Sequence, residues 1–236
     1  MSNTYIINIS SFDNYDACIT SEFMKFTPPE IQSKISRYHF KEDAYRCLLG
    51  ELLKRYMICT FLGVKNESIS IKYNDFQKPI IDSVSNCFFN ISHSGEYVAG
   101  IIDSGLTGID IEKITAIDID IVNKFFHPKE KDILQKISQL QELNEKFFLI
   151  WTAKEAYIKA LGKGLSKTLA SFYVQIDPSG GIKIIDEDPA DMDCSHINSV
   201  CLKDDYVVST AACSSPEYCF FADVELFSRI RESGYF

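Results

Sequence analysis

The chain has 236 residues, of which 46% are hydrophobic, and carries a formal net charge of −9 at pH 7. This size and composition allow one large domain or two small ones around a buried core, and the acidic charge argues against general nucleic-acid binding. No apolar run approaches the length of a membrane span, and the N-terminus lacks the features of a signal peptide, so we expect no membrane partner and a cytoplasmic location.

The first half of the chain predicts a strand, then helices, then antiparallel strands. Apolar periodicity and turn signals favour the following ranges: a strand at 5–10, helices at 13–26, from 28 onward and at about 41–62, and strands at 68–73, 87–92 and 97–102. Gly63 is the expected stop of the long helix, and Ser94-Gly95-Glu96 is typical of a hairpin turn.

Asp103-Ser104-Gly105 is the best candidate for a domain boundary, because the pattern restarts after it. The second half predicts a strand at 106–112, helices at 118–126, 128–138 and 142–161, and strands at 171–177, 182–186, 198–204 and 206–212. Acidic residues at 186–196 indicate a solvated loop, and the tail from Ser214 onward is mixed. The sequence therefore predicts an α+β fold of two similar halves, residues 1–104 and 105–236, with the tail in the second half.

The eight cysteines fall singly within apolar stretches and include no C-x-x-C pair. This spacing disfavours a zinc site and favours reduced, mostly buried thiols. Reduced thiols agree with the cytoplasmic location expected from the N-terminus.

The helix expected at 142–161 has two faces of different chemistry. Its predicted core face consists of Leu149, Ile150, Ala153, Ala156, Tyr157, Ala160 and Leu161. The opposite face combines Trp151, Lys154, Glu155 and Ile158, and Glu155 lies one turn before Lys159. Two interpretations remain open at this point: a solvated surface with a Glu–Lys pair, or a functional face.

A short strand, Gly108-Ile109-Asp110-Ile111-Glu112, places carboxylates at i and i+2. In a strand these two side chains share one face, and the isoleucines share the other. Adjacent carboxylates repel each other unless a cation or a proton lies between them. The alternatives are a solvated polar face or a site for a hard divalent ion such as magnesium, to which Glu155 would add a third carboxylate.

Taken together, these motifs resemble the 4′-phosphopantetheinyl transferase family, and most closely its long, surfactin-synthetase-activating type. The two main motifs are Gly-Ile-Asp-Ile-Glu and the later Trp-x-x-Lys-Glu-Ala-x-x-Lys. Three further stretches agree: Lys41-Glu42-Asp43-Ala44-Tyr45-Arg46-Cys47-Leu48-Leu49-Gly50-Glu51, Gln77-Lys78-Pro79 and Phe89-Asn90-Ile91-Ser92-His93-Ser94-Gly95. The resemblance runs from about residue 28 to about residue 212 and implies two α+β halves in a pseudo-twofold arrangement.

The resemblance implies a reaction in which a carrier-protein serine attacks the β-phosphate of coenzyme A. Phosphopantetheine moves to the serine, and 3′,5′-adenosine bisphosphate leaves. By motif, Asp110, Glu112 and Glu155 would hold magnesium, and Lys154 and Lys159 would contact phosphate oxygens or the leaving group. The base that takes the serine proton is left open between two residues, Glu155 and Glu130.

The resemblance also assigns contacts to coenzyme A within the first half. Arg46 would bind the 3′-phosphate, Lys78 would face the nucleotide, and Ser92 and His93 would contact phosphate. For Arg46 the alternative is a surface arginine near Glu42 or Glu51, and for His93 it is a structural histidine. Lys34 matches the second of two basic positions that relatives often carry. Ile31 stands at the first, so the chain departs from its relatives there.

The implied partner is an apo acyl or peptidyl carrier protein of nonribosomal peptide or polyketide synthesis, and a monomeric enzyme is expected. We expect the carrier to dock across the halves, against residues 113–121 and 124–131, with at least one of Phe125 and Phe126 in the core. The basic residues there are Lys113, Lys124, Lys129 and Lys131. Two rival functions remain: a non-catalytic coenzyme A- or carrier-binding protein, and a synthase restricted to fatty-acid synthesis, which is usually half this length.

Overall fold

The computed structural model describes residues 2–9, 17–82, 84–186, 188, 196–203 and 205–236. The start of the helix predicted at 13–26 and most of the acidic loop predicted at 186–196 therefore lie outside the described residues. The first half contains β1 Ser2–Asn8, α1 Ala17–Met24, α2 Pro29–Ile35, α3 Lys41–Leu62, β2 Ile71–Tyr73, β3 Pro79–Ile81, β4 Phe88–Ser94 and β5 Tyr97–Asp103. The second half contains β6 Thr107–Lys113, α4 Ile119–Phe125, α5 Pro128–Leu134, α6 Leu140–Leu161, β7 Phe172–Ile176, β8 Ile182–Asp186, β9 His196–Leu202, β10 Tyr206–Ala212, β11 Pro216–Ala222 and α7 Asp223–Glu232.

The strands form two main sheets and a small hairpin. The first sheet has the order β11-β1-β5-β4, the second has the order β6-β10-β9-β8-β7, and β2 pairs with β3. Strand β1 is antiparallel to β5 and parallel to β11, whereas the pairs of the second sheet are antiparallel. The α+β class predicted from the sequence is confirmed.

Each half packs one long helix against its own sheet, and the two sheets face each other. Alternate residues of β1 divide between two cores: Ile7 packs with α3, while Ile6 packs against the second sheet. Ile109 and Ile111 of β6 are fully buried in that core between the sheets. The opposite face of the second sheet packs on α6. The layers therefore run helix, sheet, sheet, helix, which puts β4 and β6 side by side.

The two long helices have the ends that the sequence predicted. Helix α3 ends at Gly63 and α6 ends at Gly162, and both glycines adopt the left-handed conformation with φ of 67°. This conformation lets each glycine N–H bond back to a carbonyl of the last helical turn. The strands that the sequence predicted lie within a few residues of their expected ranges, whereas β3 and β11 are additions that the sequence pattern did not predict.

The C-terminal segment joins the first sheet although it follows the second one in sequence. All seven residues of β11 pair in register with β1. The following helix α7 buries Leu226, Phe227 and Ile230 in the core beneath α3. The Tyr45 hydroxyl donates to Asp223 Oδ2 at 2.7 Å inside this contact. The predicted boundary at residue 104 stays a prediction, but this tail packs with the N-terminal half.

Six cysteines whose side chains the structure describes form no disulfide with one another: Cys47, Cys59, Cys87, Cys201, Cys213 and Cys219. Cys59 and Cys87 are buried, whereas Cys201 and Cys213 are exposed, so the thiols described are buried less often than the sequence predicted. Among the helices described, none combines the length and the apolar composition that crossing a membrane requires.

Candidate active site at the seam between the sheets

Side chains of β4 join the two sheets where backbone pairing is missing. Three acceptors on β4 bind three backbone N–H groups of β6: Asn90 Oδ1 binds Ile109 N at 3.0 Å, Ser92 Oγ binds Ile111 N at 3.4 Å, and Ser94 Oγ binds Lys113 N at 3.2 Å. Successive contacts are two residues apart on β4 and two residues apart on β6. All three acceptors therefore lie on one face of β4. We call this row of contacts the seam.

The seam also holds the two carboxylates of β6. Ser92 Oγ donates to Asp110 Oδ1 at 2.9 Å, and Ser94 Oγ donates to Glu112 Oε2 at 2.9 Å. The predicted alternation is confirmed, because Ile109 and Ile111 point into the core while both carboxyl groups line a cavity on the other face.

Helix α6 lies directly against β6 at Gly108. A Cβ atom on Gly108 would lie 2.1 Å from the carbonyl oxygen of Ala156 and 2.4 Å from the nitrogen of Ala160. This approach brings Lys159 onto the strand, where its Nζ donates to Asp110 Oδ1 at 2.6 Å and to Ser92 Oγ at 3.1 Å. Glu155, one turn earlier, faces the same cavity as Asp110 and Glu112.

The site holds more negative than positive charge. Burial, followed by the Asp110 charge, raises the pKa of Glu112, and the same causes in the same order raise the pKa of Glu155. Lys159 opposes both shifts. Asp110 is 3% exposed, and its Oδ2 has no hydrogen-bond partner. A buried carboxylate oxygen without a partner is costly, so the site has a deficit of positive charge.

These residues fit a hard divalent cation. Carboxylate oxygens are the ligands that magnesium prefers, and Asp110 Oδ2 is a buried oxygen without a hydrogen-bond partner. Among the residues described, no three His, Cys, Asp or Glu side chains are already grouped as a formed metal site. In the arrangement described, Lys159 contacts the Asp110 carboxylate directly.

Two cavities meet at Glu155 and Lys159. The smaller has a volume of about 420 Å³ and is lined by Ile91, Ser92, His93, Asp110, Glu112, Trp151, Glu155 and Lys159. The larger, of about 790 Å³, has apolar walls that include Phe76, Pro79, Phe125, Ile158 and Leu169, with Lys78, Lys124 and Lys167 among its other lining residues. Such a volume with mostly apolar walls is typical of a small-molecule site.

Glu130 and Lys154 form a buried ion pair away from both cavities. Both side chains are 0% exposed, and Lys154 Nζ donates to the two oxygens of Glu130 at 2.7 and 2.9 Å and to the Phe172 carbonyl at 2.7 Å. Glu130 also accepts from the backbone N–H groups of His127 and Val174, at 2.9 and 2.7 Å. Burial lowers the pKa of Lys154, and the charge of Glu130 opposes that change.

These contacts disagree with the predicted roles of Glu130 as a base and Lys154 as a phosphate contact. All three N–H groups of Lys154 are already donated, and Glu130 accepts from each side of its pocket. The helical pattern assigned Lys154 to the open face. In the structure, that part of α6 is covered by α5 and the β7 edge. These contacts favour structural roles for both residues, and the catalytic and phosphate-binding roles stay predictions.

Lys78, which the resemblance places facing the nucleotide, lines the larger cavity, but its ammonium group binds backbone oxygens. Its Nζ donates to the carbonyl oxygens of Lys159, Ala160 and Thr107, at 2.6, 2.9 and 3.2 Å. The Asn74 amide donates to the Gly162 carbonyl at 3.1 Å. Lysine near a helix C-terminus stabilises the unpaired carbonyls there, so the loop at 74–78 caps α6. The ammonium group is engaged with backbone oxygens, and only the rest of the Lys78 side chain is left to line the larger cavity.

Arg46 and His93 lie together beside the smaller cavity. Arg46 donates to the Gly95 carbonyl at 2.9 Å and to Asp43 Oδ1 at 2.6 Å. Partial burial, then the charges of Arg46 and Lys159, lowers the pKa of His93. Lys34 is exposed on α2 and lines neither cavity, whereas Ile31 packs on the first core. The structure therefore brings Arg46, Ser92, His93 and Lys159 together and leaves Lys34 outside.

The expected docking region combines basic and apolar side chains. Phe126 is buried and Phe125 is 38% exposed, which confirms that at least one of the two belongs to the core. Phe126 stacks with Phe147 and Trp151, at centroid distances of 5.1 and 6.3 Å. Lys113, Lys124 and Lys129 are exposed. Ile119 and Ile133 are 47% and 42% exposed in the same part of the chain.

Sequence reasoning missed Ser94 and Gly108 as residues of the site. The period-two polar pattern Asn90-x-Ser92-x-Ser94 was the available signal for the seam. A glycine inside a strand often marks a close approach of another backbone, and that signal was available for Gly108.

Comparisons with known proteins give the same family for both halves. Residues 107–211 match the model described as 4′-phosphopantetheinyl transferase superfamily, and residues 18–103 match 4′-phosphopantetheinyl transferase, N-terminal. The chain is 39% identical over 166 residues to the 4′-phosphopantetheinyl transferase ffp of Bacillus subtilis, covering 70% of this chain and 73% of that one. It is 44% identical over 145 residues to the transferase gsp of Aneurinibacillus migulanus, covering 61% and 60% of the two chains. A further Bacillus subtilis 4′-phosphopantetheinyl transferase is 33% identical over 201 residues, covering 85% and 88%.

Proposed function

Because the chain belongs to the 4′-phosphopantetheinyl transferase superfamily, we propose that phosphopantetheine transfer takes place in the two cavities beside its seam. The arm of coenzyme A moves to a serine of an apo carrier protein, and 3′,5′-adenosine bisphosphate is released. The observation that carries this proposal is the convergence of Asp110, Glu112, Glu155 and Lys159 where two cavities join. A site for cleaving a diphosphate needs such positioned charges more than it needs a covalent nucleophile.

Coenzyme A combines charged phosphate groups with an adenine ring and a pantetheine arm that carry no charge. The two cavities differ in polarity in a corresponding way. The larger, apolar cavity suits the adenine ring and the pantetheine arm, and the smaller cavity suits phosphate. Lys159 belongs to both and would contact a phosphate oxygen of the leaving group. Asp110, Glu112 and Glu155 would hold magnesium, which when bound would neutralise charge on the diphosphate.

Glu155 is the better candidate for the base of the two that the sequence left open. It lines both cavities, so it lies where the serine and the diphosphate of coenzyme A would meet. Glu130 is enclosed by Lys154 and two backbone N–H groups, so it has no access to a serine in this arrangement.

A transfer assay tests the proposed function directly. The protein is incubated with a panel of apo carriers, coenzyme A and magnesium, and the carriers are read by intact mass. We expect the mass of one phosphopantetheine arm on at least one carrier, with a loss of transfer when EDTA removes divalent cations. Binding of coenzyme A or a carrier without any mass change would favour the rival, non-catalytic function. Transfer that survives EDTA would overturn the magnesium assignment alone.

Arg46→Ala is expected to raise the KM for coenzyme A by about tenfold to a hundredfold, with a much smaller change in kcat. A charge-assisted hydrogen bond to phosphate contributes about 1.5–3 kcal/mol. A contact remote from the broken bond acts about equally on substrate and transition state. Steady-state kinetics of wild type and Arg46→Ala, each with coenzyme A and with dephospho-coenzyme A, measure the effect of removing the arginine and the effect of removing the 3′-phosphate. If the increase in KM from the substitution simply adds to the increase from the missing phosphate, Arg46 does not hold the 3′-phosphate.

Lys129→Glu is expected to raise the KM for the carrier severalfold while leaving the KM for coenzyme A unchanged. Lys129 is exposed and lines neither cavity, and reversing a charge at the rim of an interface mainly slows association with an acidic partner. Lys25→Glu, an equal charge change on an exposed residue of the first half, is the matched control. The difference between the variants should shrink at high salt. Equal effects from both would remove residues 124–131 from the docking surface.

We further propose that the protein modifies carriers of nonribosomal peptide or polyketide synthesis, that it is a monomer and that it is located in the cytoplasm. These three proposals rest on the family and on the sequence. The carrier panel addresses the first of these, since carriers of fatty-acid and of peptide or polyketide synthesis can be compared side by side.

A further inference from the structure

We propose that Ser94 is a positioning residue that aims the Glu112 carboxylate into the site, and this inference rests on the proposed function. Its hydroxyl makes two contacts with consecutive residues of β6. It donates to Glu112 Oε2 at 2.9 Å and accepts from Lys113 N at 3.2 Å. One small side chain therefore fixes both the strand and the carboxylate that the strand carries.

Geometry leaves Ser94 little freedom. It is the last residue of β4 and pairs with Tyr97 across the hairpin. The turn that follows is held from two sides, because Arg46 donates to the Gly95 carbonyl at 2.9 Å and Glu96 N donates to the buried Tyr206 hydroxyl at 3.0 Å. The hydroxyl is therefore presented to Glu112 from a fixed backbone.

Glu112 needs such support more than Asp110 does. Asp110 is 3% exposed and is already contacted by Ser92 and Lys159. Glu112 is only partly buried at the end of β6, has one more rotatable bond, and has Ser94 as its hydrogen-bond donor. Partners that orient a ligand carboxylate commonly change metal affinity by about tenfold to a hundredfold when they are removed.

Asn90 provides a matched comparison within the same seam. Its Oδ1 accepts from Ile109 N at 3.0 Å, as Ser94 accepts from Lys113 N, but this contact involves no carboxylate. Asn90→Ala therefore removes one β4–β6 contact and shows what such a contact contributes to the stability of the fold. Ser94→Ala removes a β4–β6 contact of the same kind and also removes the hydrogen-bond donor to Glu112.

The experiment compares four proteins: wild type, Ser94→Ala, Ser94→Thr and Asn90→Ala. Each full chain is titrated with Mn²⁺ alone, and free Mn²⁺ is followed by electron paramagnetic resonance, with melting temperature measured in parallel. We expect Ser94→Ala to weaken Mn²⁺ binding by about tenfold. Ser94→Thr, which keeps the hydroxyl, should restore it, and Asn90→Ala should lower the melting temperature without changing Mn²⁺ affinity.

Equal Mn²⁺ affinities for Ser94→Ala and wild type would overturn the inference, as would equal losses for Ser94→Ala and Asn90→Ala. A wild-type protein that binds no Mn²⁺ would also overturn it. The proposed function is judged separately by transfer to apo carriers, so its failure is distinguishable. In a Glu112→Gln background, Ser94→Ala should cost little further affinity, because the two changes delete one contact from its two ends.

Discussion

Gly108→Ala is expected to reduce transfer by about a hundredfold and to destabilise the fold by about 1–3 kcal/mol or more. The new Cβ would lie 2.1 Å from the Ala156 carbonyl oxygen and 2.4 Å from the Ala160 nitrogen, and both are backbone atoms of α6. Backbone cannot turn aside as a flexible side chain can, so the helix must move away from β6. That movement carries Glu155 and Lys159 away from Asp110 and Glu112, and a misplacement of about 1 Å can cost about a hundredfold in rate.

Gly50→Ala is the control for this experiment. Gly50 is buried within α3, and a Cβ there would meet Ile91 Cγ2 at 3.6 Å, an ordinary van der Waals distance. Alanine in a helix interior is better than glycine by about 0.5–1 kcal/mol, so this variant should be as stable as wild type or more so, with normal transfer. Thermal melting and transfer kinetics on both variants give the comparison. A Gly108→Ala protein with normal kcat and melting temperature would show that the approach of α6 to β6 does not set the site.

The sequence predicted the elements of the site well because their signals are local. Alternation along Gly108–Glu112 placed the two carboxylates on one face, and a strand of period two leaves no other arrangement. The ends of α3 and α6 followed from Gly63 and Gly162, since a left-handed residue stops a helix wherever it occurs. The sequence also grouped Glu155 with Lys159, because residues one helical turn apart share a face.

The contacts that the sequence did not predict involve partners distant in sequence. Lys154 lies one position before Glu155, and a helical pattern cannot tell which of the two meets another element. Its partner Glu130 lies 24 residues away, and the Phe172 carbonyl comes from a later strand. Lys78 is similar, since its contacts are 81 and 82 residues away at the end of α6. In each case the ammonium group of a lysine to which the resemblance gave a coenzyme A contact binds oxygen atoms of the protein itself.

Glu130→Gln is expected to destabilise the protein by about 3–5 kcal/mol. The substitution leaves the Lys154 ammonium buried beside a neutral amide, and an unpaired charge in a dry interior is strongly destabilising. Urea denaturation of wild type and Glu130→Gln, at a pH where both refold reversibly, measures the decrease in the free energy of unfolding. Glu225→Gln is the control, because it breaks a pair with Arg229 of the same length, 2.7 Å, but on an exposed helix face. An exposed pair contributes less than about 1 kcal/mol.

Combining Glu130→Gln with Lys154→Met separates a structural role from a catalytic one. The double variant has no buried charge at this position, so it should be more stable than Glu130→Gln alone, as measured by a double-mutant cycle. It should also transfer phosphopantetheine at a rate within a few-fold of wild type, assayed at a temperature where it is folded. If Glu130 were the base that takes the serine proton, restoring stability would not restore transfer, and the single-turnover rate would stay low by about a hundredfold or more. A stable but inactive double variant would therefore contradict the structural assignment of the pair, and Lys154→Met alone would then show which of the two residues transfer requires.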